Sequence, residues 1–182
     1  MRWERLFADL EARLDAEERA AVDGDVVDMV RAERGRLTLQ DRLRAHVGEP
    51  LTWGLGLPEG SEHGELLDLG ADWVLVRTLR GEVLIPIGAL RYVGGLSRAA
   101  SPDTSEVARR LGLARVLRGL CRDRAVVSVR LPGDERLTGT IDRVGADHLD
   151  LAVHAGDQAR RSDAVLALRC LLFHALVGIS VH

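Results

Sequence analysis

The side chains best suited to chemistry stand in one short run: Asp147, His148, Asp150 and His154 are four potential metal-binding or proton-transfer groups close together in the chain. On a strand, His148, Asp150 and His154 alternate onto one face, while Asp147 falls in the turn before it. A strand rises about 3.3 Å per residue, so His148 and His154 stand roughly 20 Å apart and cannot share an ion within that strand. The chain contains no His-x-x-x-His helix, Cys-x-x-Cys, Gly-x-Ser-x-Gly or phosphate-loop pattern. GLGLPEG, from Gly54 to Gly60, has the wrong glycine spacing and a proline where a helix would have to start. These residues therefore predict a non-enzyme, with no catalytic group, no metal site and no cofactor.

The remaining chemistry is cationic. Arg109, Arg110, Arg115, Arg118, Arg122 and Arg124 crowd one segment against only Glu106 and Asp123. Guanidinium groups grip phosphate oxygens in pairs, so this segment is the candidate nucleic-acid surface. Trp73 is the one ring at a hairpin position where a base could stack on it, but packing in a core or at its rim is the first expectation for it. The competing expectation is a solvated face neutralised by acids of the N-terminal segment. A net charge of −3 provides no global attraction to nucleic acid, and aromatic residues are only 3% of the chain. All 25 basic residues are arginine. Cys121 and Cys170 sit in the apolar runs RGLCRD and LALRCLLFH and are expected to be buried, reduced thiols.

The elements that must position these groups come from an internal repeat. GELLDLGADWVLV, Gly64–Val76, returns as GTIDRVGADHLDL, Gly139–Leu151, at an offset of 75 residues. The likeness extends backwards through Leu37/Leu111, Leu43/Leu117 and Leu57-Pro58/Leu131-Pro132. In the second copy, Leu113, Val116, Leu117, Leu120 and Cys121 make a helical stripe, with Asp103 and Glu106 as an acidic capping box upstream. Val127, Val129 and Leu131 alternate as a half-buried strand, and Pro132-Gly133-Asp134 turns the chain. Thr138–Val144 and His148–Val153 form a hairpin around Gly145-Ala146-Asp147, where glycine is expected to supply positive φ. Gly64 and Gly139, inside strands, mark a bulge or sharp curl. EVLIPIGALRYVGGL and VLALRCLLFHALVGISV each add a strand, a bend and a strand.

Helix followed by five strands, with a short turn before the last, is the order of Sm-like small barrels. The chain resembles a tandem pair of them, and over nearly its full length it is similar to an uncharacterised actinobacterial protein family with tandem Sm-like (SH3-like) small β-barrels. The resemblance implies a mainly β fold with helices (α+β) and four parts: an N-terminal helical segment 1–36, a first barrel with leading helix 37–97, a linker 98–104, and a second barrel with leading helix 105–182. It also implies RNA as a partner, but the residues depart from the Sm pattern. Gly70 or Gly145 stands near the place of its Asp, no Asn follows either hairpin, and Arg80-Gly81 precedes its strand instead of following it.

Trp3, Leu6, Phe7, Leu10 and Leu14 make an N-terminal helical stripe, read as packing on its own domain, with a homodimer contact as the alternative. The run 164–182 is interrupted by Arg169 and His174 and reads as sheet rather than a membrane span. Together these features predict a cytoplasmic adaptor or scaffold without membrane contact. It binds a protein through a barrel groove or unpaired strand edge, or, alternatively, RNA or single-stranded nucleic acid through the arginine-rich helix 109–124.

Overall fold

The computed structural model describes residues 35–55, 61–101, 111–155 and 165–182. The expected N-terminal helical stripe of Trp3, Leu6, Phe7, Leu10 and Leu14, the Asp103–Glu106 capping box and the basic residues Arg109 and Arg110 lie outside the described residues. The chain divides into two units, Met1–Thr38 and Leu39–His182. All elements below belong to the second.

Alternating apolar residues and turn glycines produce a mainly β structure. Its strands are β1 (Pro50–Leu55), β2 (Ser61–Leu69), β3 (Trp73–Thr78), β4 (Gly81–Pro86), β5 (Leu90–Gly94), β6 (Val126–Arg130), β7 (Arg136–Val144), β8 (His148–Val153), β9 (Ala167–Leu172) and β10 (Gly178–Val181). Among the described residues two helices, α1 (Leu39–Arg44) and α2 (Leu113–Arg122), precede β1 and β6. All ten strands form one antiparallel sheet in the order β5-β1-β2-β3-β4-β10-β6-β7-β8-β9. Residues 37–97 and 105–182, expected as separate barrels, thus contribute to one continuous open sheet, joined where Leu84 of β4 pairs with Ile179 of β10.

Each half keeps the same order, fifth-first-second-third-fourth. The register repeats too: the β2–β3 ladder shifts between Leu66 and Asp68, and the β7–β8 ladder between Ile141 and Arg143. A 3-10 turn links the last two strands of each half, at Ile87–Ala89 and Phe173–Ala175. A Cβ on Gly64 would collide with the carbonyl of Arg77, and one on Gly139 with the carbonyl of Ala152, again 75 residues on. Glycine is needed there because the neighbouring strand crosses too closely for a methyl group.

The Gly-Ala-Asp corners correct the sequence expectation. Gly70 and Gly145 do not adopt positive φ; among the described residues the glycines that do are Gly48, Gly81, Gly95 and Gly133. Instead, a ring lies where a Cβ would be: the Trp73 indole over Gly70, and the His148 imidazole over Gly145, 2.7 Å from Nδ1. Each corner closes with the same hydrogen bonds, Gly70 N to Trp73 O and Gly145 N to His148 O, both 2.9 Å. The Pro132–Asp134 turn does use left-handed backbone, at Gly133 (φ 77°) and Asp134 (φ 60°).

Two cores result. The first gathers Leu43, Leu51, Trp53, Leu66, Val74, Val76 and Ile85, and includes Val177 from the second half. The second gathers Leu117, Val127, Val129, Ile141, Leu149, Leu151 and Leu176, and includes Trp73 and Leu84 from the first half. Leu117, fully buried on the α2 stripe, contributes about 1.5–3 kcal/mol of apolar burial to holding the helix on the sheet.

Candidate functional site

The seam between the halves forms a cleft of 490 Å³ lined in part by Glu62, His63, Thr78, Arg80, Arg130 and Arg136. Glu62 and Arg130 bridge it as a fork, with Oε1–Nη1 at 2.6 Å and Oε2–Nη2 at 3.3 Å, and the Trp53 indole donates to Glu62 Oε2 at 3.3 Å. Burial works against the charge on Glu62, but these bonds and the adjacent guanidinium hold its carboxyl below the ordinary value. Glu62 and Arg130 therefore neutralise each other within the cleft.

On α2, Arg115, Arg118 and Arg122 are exposed, and Arg124, just beyond it, is also exposed. Arg118 Nη2 donates to Gly145 O at 3.2 Å, and Arg124 Nη1 lies 3.6 Å from Asp142 Oδ1. Trp73 is not placed for stacking. It is 6% exposed, packs in the second core, and donates its indole N–H to Leu111 O at 2.7 Å. Its hairpin is covered because Asp72 Oδ1 also accepts from Leu113 N, at 2.6 Å, at the start of α2.

Of the acidic and histidine run, His154 is buried and separate: its Nε2 lies 2.8 Å from Thr140 Oγ1, and its Nδ1 lies 2.8 Å from Ala155 O. His148 and Asp150 share one face of β8, and the register sets Asp150 opposite Cys170 and His148 opposite Leu172 on β9. Ligand-capable atoms of His148, Asp150 and Cys170 all lie within 4.8 Å of one another. Reasoning within one strand missed this group because its third member arrives from the neighbouring strand. Cys170 is exposed, not buried as expected, because β9 is an edge strand; Cys121 is only partly buried, and both are free thiols. Desolvation of the sulfur by its immediate neighbours, then the Asp150 carboxylate, pushes the Cys170 thiol up, while the His148 hydrogen bond holds Asp147 below its ordinary value.

Among the described residues no further strand pairs with β5 or β9. Leu166, Leu168 and Leu172 on or beside β9 are exposed, as is Tyr92 on β5. No described helix is long and apolar enough to cross a membrane. No protein-family model, curated protein or solved structure matches the chain.

Proposed function

We propose that the chain is a non-enzymatic cytoplasmic adaptor made of two tandem Sm-like (SH3-like) small barrels, of the kind found in the actinobacterial tandem-barrel family, and that it binds a protein partner by accepting an extended segment along β9. The repeated strand order, the matching strand glycines and the two separate cores support the tandem reading. One observation carries the binding reading. The equivalent strand in the first half, β4, is covered by β10, with Leu84 and Pro86 buried, whereas β9 has no described outer neighbour and leaves Leu168 and Leu172 exposed. An open apolar edge presents unpaired backbone groups together with side-chain anchors, which is what strand addition requires.

The test is a screen of extended peptides, with hydrogen exchange on the complex. Binding should protect β9 amides, and Leu168→Glu should abolish it while Leu79→Glu, an exposed control on the β3–β4 turn, leaves it intact. Peptide binding without protection of β9 would refute the reading. So would a strongly salt-dependent affinity for single-stranded RNA that disappears when Arg115, Arg118 and Arg122 are changed to Ala, since that outcome assigns the chain to nucleic acid.

A further inference from the structure

We propose that His148, Asp150 and Cys170 form a binding site for one zinc-class divalent cation on the outer face of β8 and β9. The strongest reason comes from comparing the two halves at matched register. Trp73 pairs with Pro86 and Leu75 with Leu84 in the first half; His148 pairs with Leu172 and Asp150 with Cys170 in the second. The three positions Trp73, Leu75 and Leu84 are therefore apolar in one half, where they join the core under α2. Their equivalents at the open end are an imidazole, a carboxylate and a thiol. A need for solubility alone would be met by any polar residues there. All three substitutions instead place a metal-ligand type at the corner of one triangle.

The donor chemistry selects the ion. Nitrogen, carboxylate oxygen and thiolate sulfur together suit zinc better than magnesium or calcium, which favour oxygen throughout. Zinc bonds of about 2.0–2.3 Å require donor atoms closer together than 4.8 Å, a difference that side-chain rotation on an accessible face can close. A supporting partner is already in place: Asp147 Oδ1 lies 2.8 Å from His148 Nδ1. With the Nδ1–H donated to that carboxylate, Nε2 keeps its lone pair for the ion, and the imidazole is oriented from behind. The ring is seated against Gly145, where any larger residue would displace it. Three protein donors leave a fourth position for water. Binding exchanges the thiol proton of Cys170 for the metal, with release of that proton to solvent.

Titration of the reduced, untagged full chain with cobalt(II), followed by competition with zinc, tests the site independently of any peptide. One equivalent of cobalt should give the near-ultraviolet thiolate charge-transfer band of a sulfur-ligated tetrahedral ion. Cys170→Ser should remove the band, and Cys121→Ser should retain it. Asp147→Asn should weaken zinc binding by about 10- to 100-fold, as loss of a supporting carboxylate commonly does. Zinc should also raise the melting midpoint of the native chain, a readout that needs no variant. The proposal is overturned if no thiolate band forms, if the band survives Cys170→Ser, if His148→Ala leaves zinc affinity unchanged, or if zinc fails to shift the midpoint. None of these outcomes bears on strand addition at β9, which is read by peptide binding to metal-free protein.

Discussion

Replacing Gly139 by alanine tests the central geometric feature of the sheet. The added methyl would stand 2.8 Å from the carbonyl carbon of Ala152 and closer still to its oxygen, whereas ordinary contact begins at 3.4 Å. Backbone is on both sides of the clash, so no side chain can rotate away. β8 would have to withdraw by more than about 0.6 Å, the shortfall at the carbonyl carbon alone, because the oxygen lies closer still, and it is clamped there between β7 and β9. Overpacking of this kind costs about 1–3 kcal/mol. Weakening the adjacent Thr140–Ala152 ladder adds roughly 1 kcal/mol for each hydrogen bond lost. The expected destabilisation is therefore about 2–4 kcal/mol, read as a lower urea midpoint by circular dichroism. Gly64→Ala should behave alike, because the Arg77 carbonyl carbon lies 3.0 Å from its would-be Cβ. Gly119→Ala, in α2 with nothing within 4 Å, should instead stabilise by about 0.5–1 kcal/mol. If Gly139→Ala costs less than Gly119→Ala gains, or if the two strand glycines respond with opposite signs, the close crossing is wrong.

Two further outcomes follow from single contacts. Glu62 has its carboxyl held below the ordinary 4.5, so its pairing with Arg130 contributes stability that is present above pH 4.5 and lost as pH falls through the lower folded value. The difference in urea midpoint between the native chain and Glu62→Gln should shrink on acidification below pH 4.5, and a constant difference across that range would refute the assignment. Asp72→Ala removes the acceptor for Leu113 N and should cost about 1 kcal/mol, in the range of a lost helix cap, with fraying at the start of α2 visible by amide exchange. Equal exchange rates at Leu113 in both proteins would contradict it.

Much of the strand layout was legible because its determinants are local. The β7–β8 hairpin followed from alternating β-formers on either side of Gly145-Ala146-Asp147, and the Pro132-Gly133 turn from residues whose backbone preferences are strong. What went astray depended on distant neighbours. The corner glycines looked like turn residues, yet they are there to admit a ring three positions on, a spatial demand that leaves no local signature beyond the glycine itself. Cys170 resembled a core thiol because its run is apolar, and only the outermost place of β9 in the sheet exposes it. Its position opposite Asp150 is a matter of register between strands separated by a long insertion, which is why the His-Asp-Cys group could not be found by spacing along one strand. The burial of Trp73 agrees with the core-packing reading, but the element that covers it, α2 with its approach at Leu111, is not legible locally.

The placement of β10 bears on how the molecule assembles. It is the last described strand along the chain but the sixth across the sheet, between β4 and β6. Its partner β6 is roughly fifty residues away in sequence, so the pairing carries a sizeable loop-closure cost before any reward arrives. Until that closure occurs, the earlier half has an uncapped β4 and the later half lacks its inner border. Both halves should therefore mature in one late kinetic step, and a substitution that weakens β10 should slow refolding of the whole sheet rather than of one end.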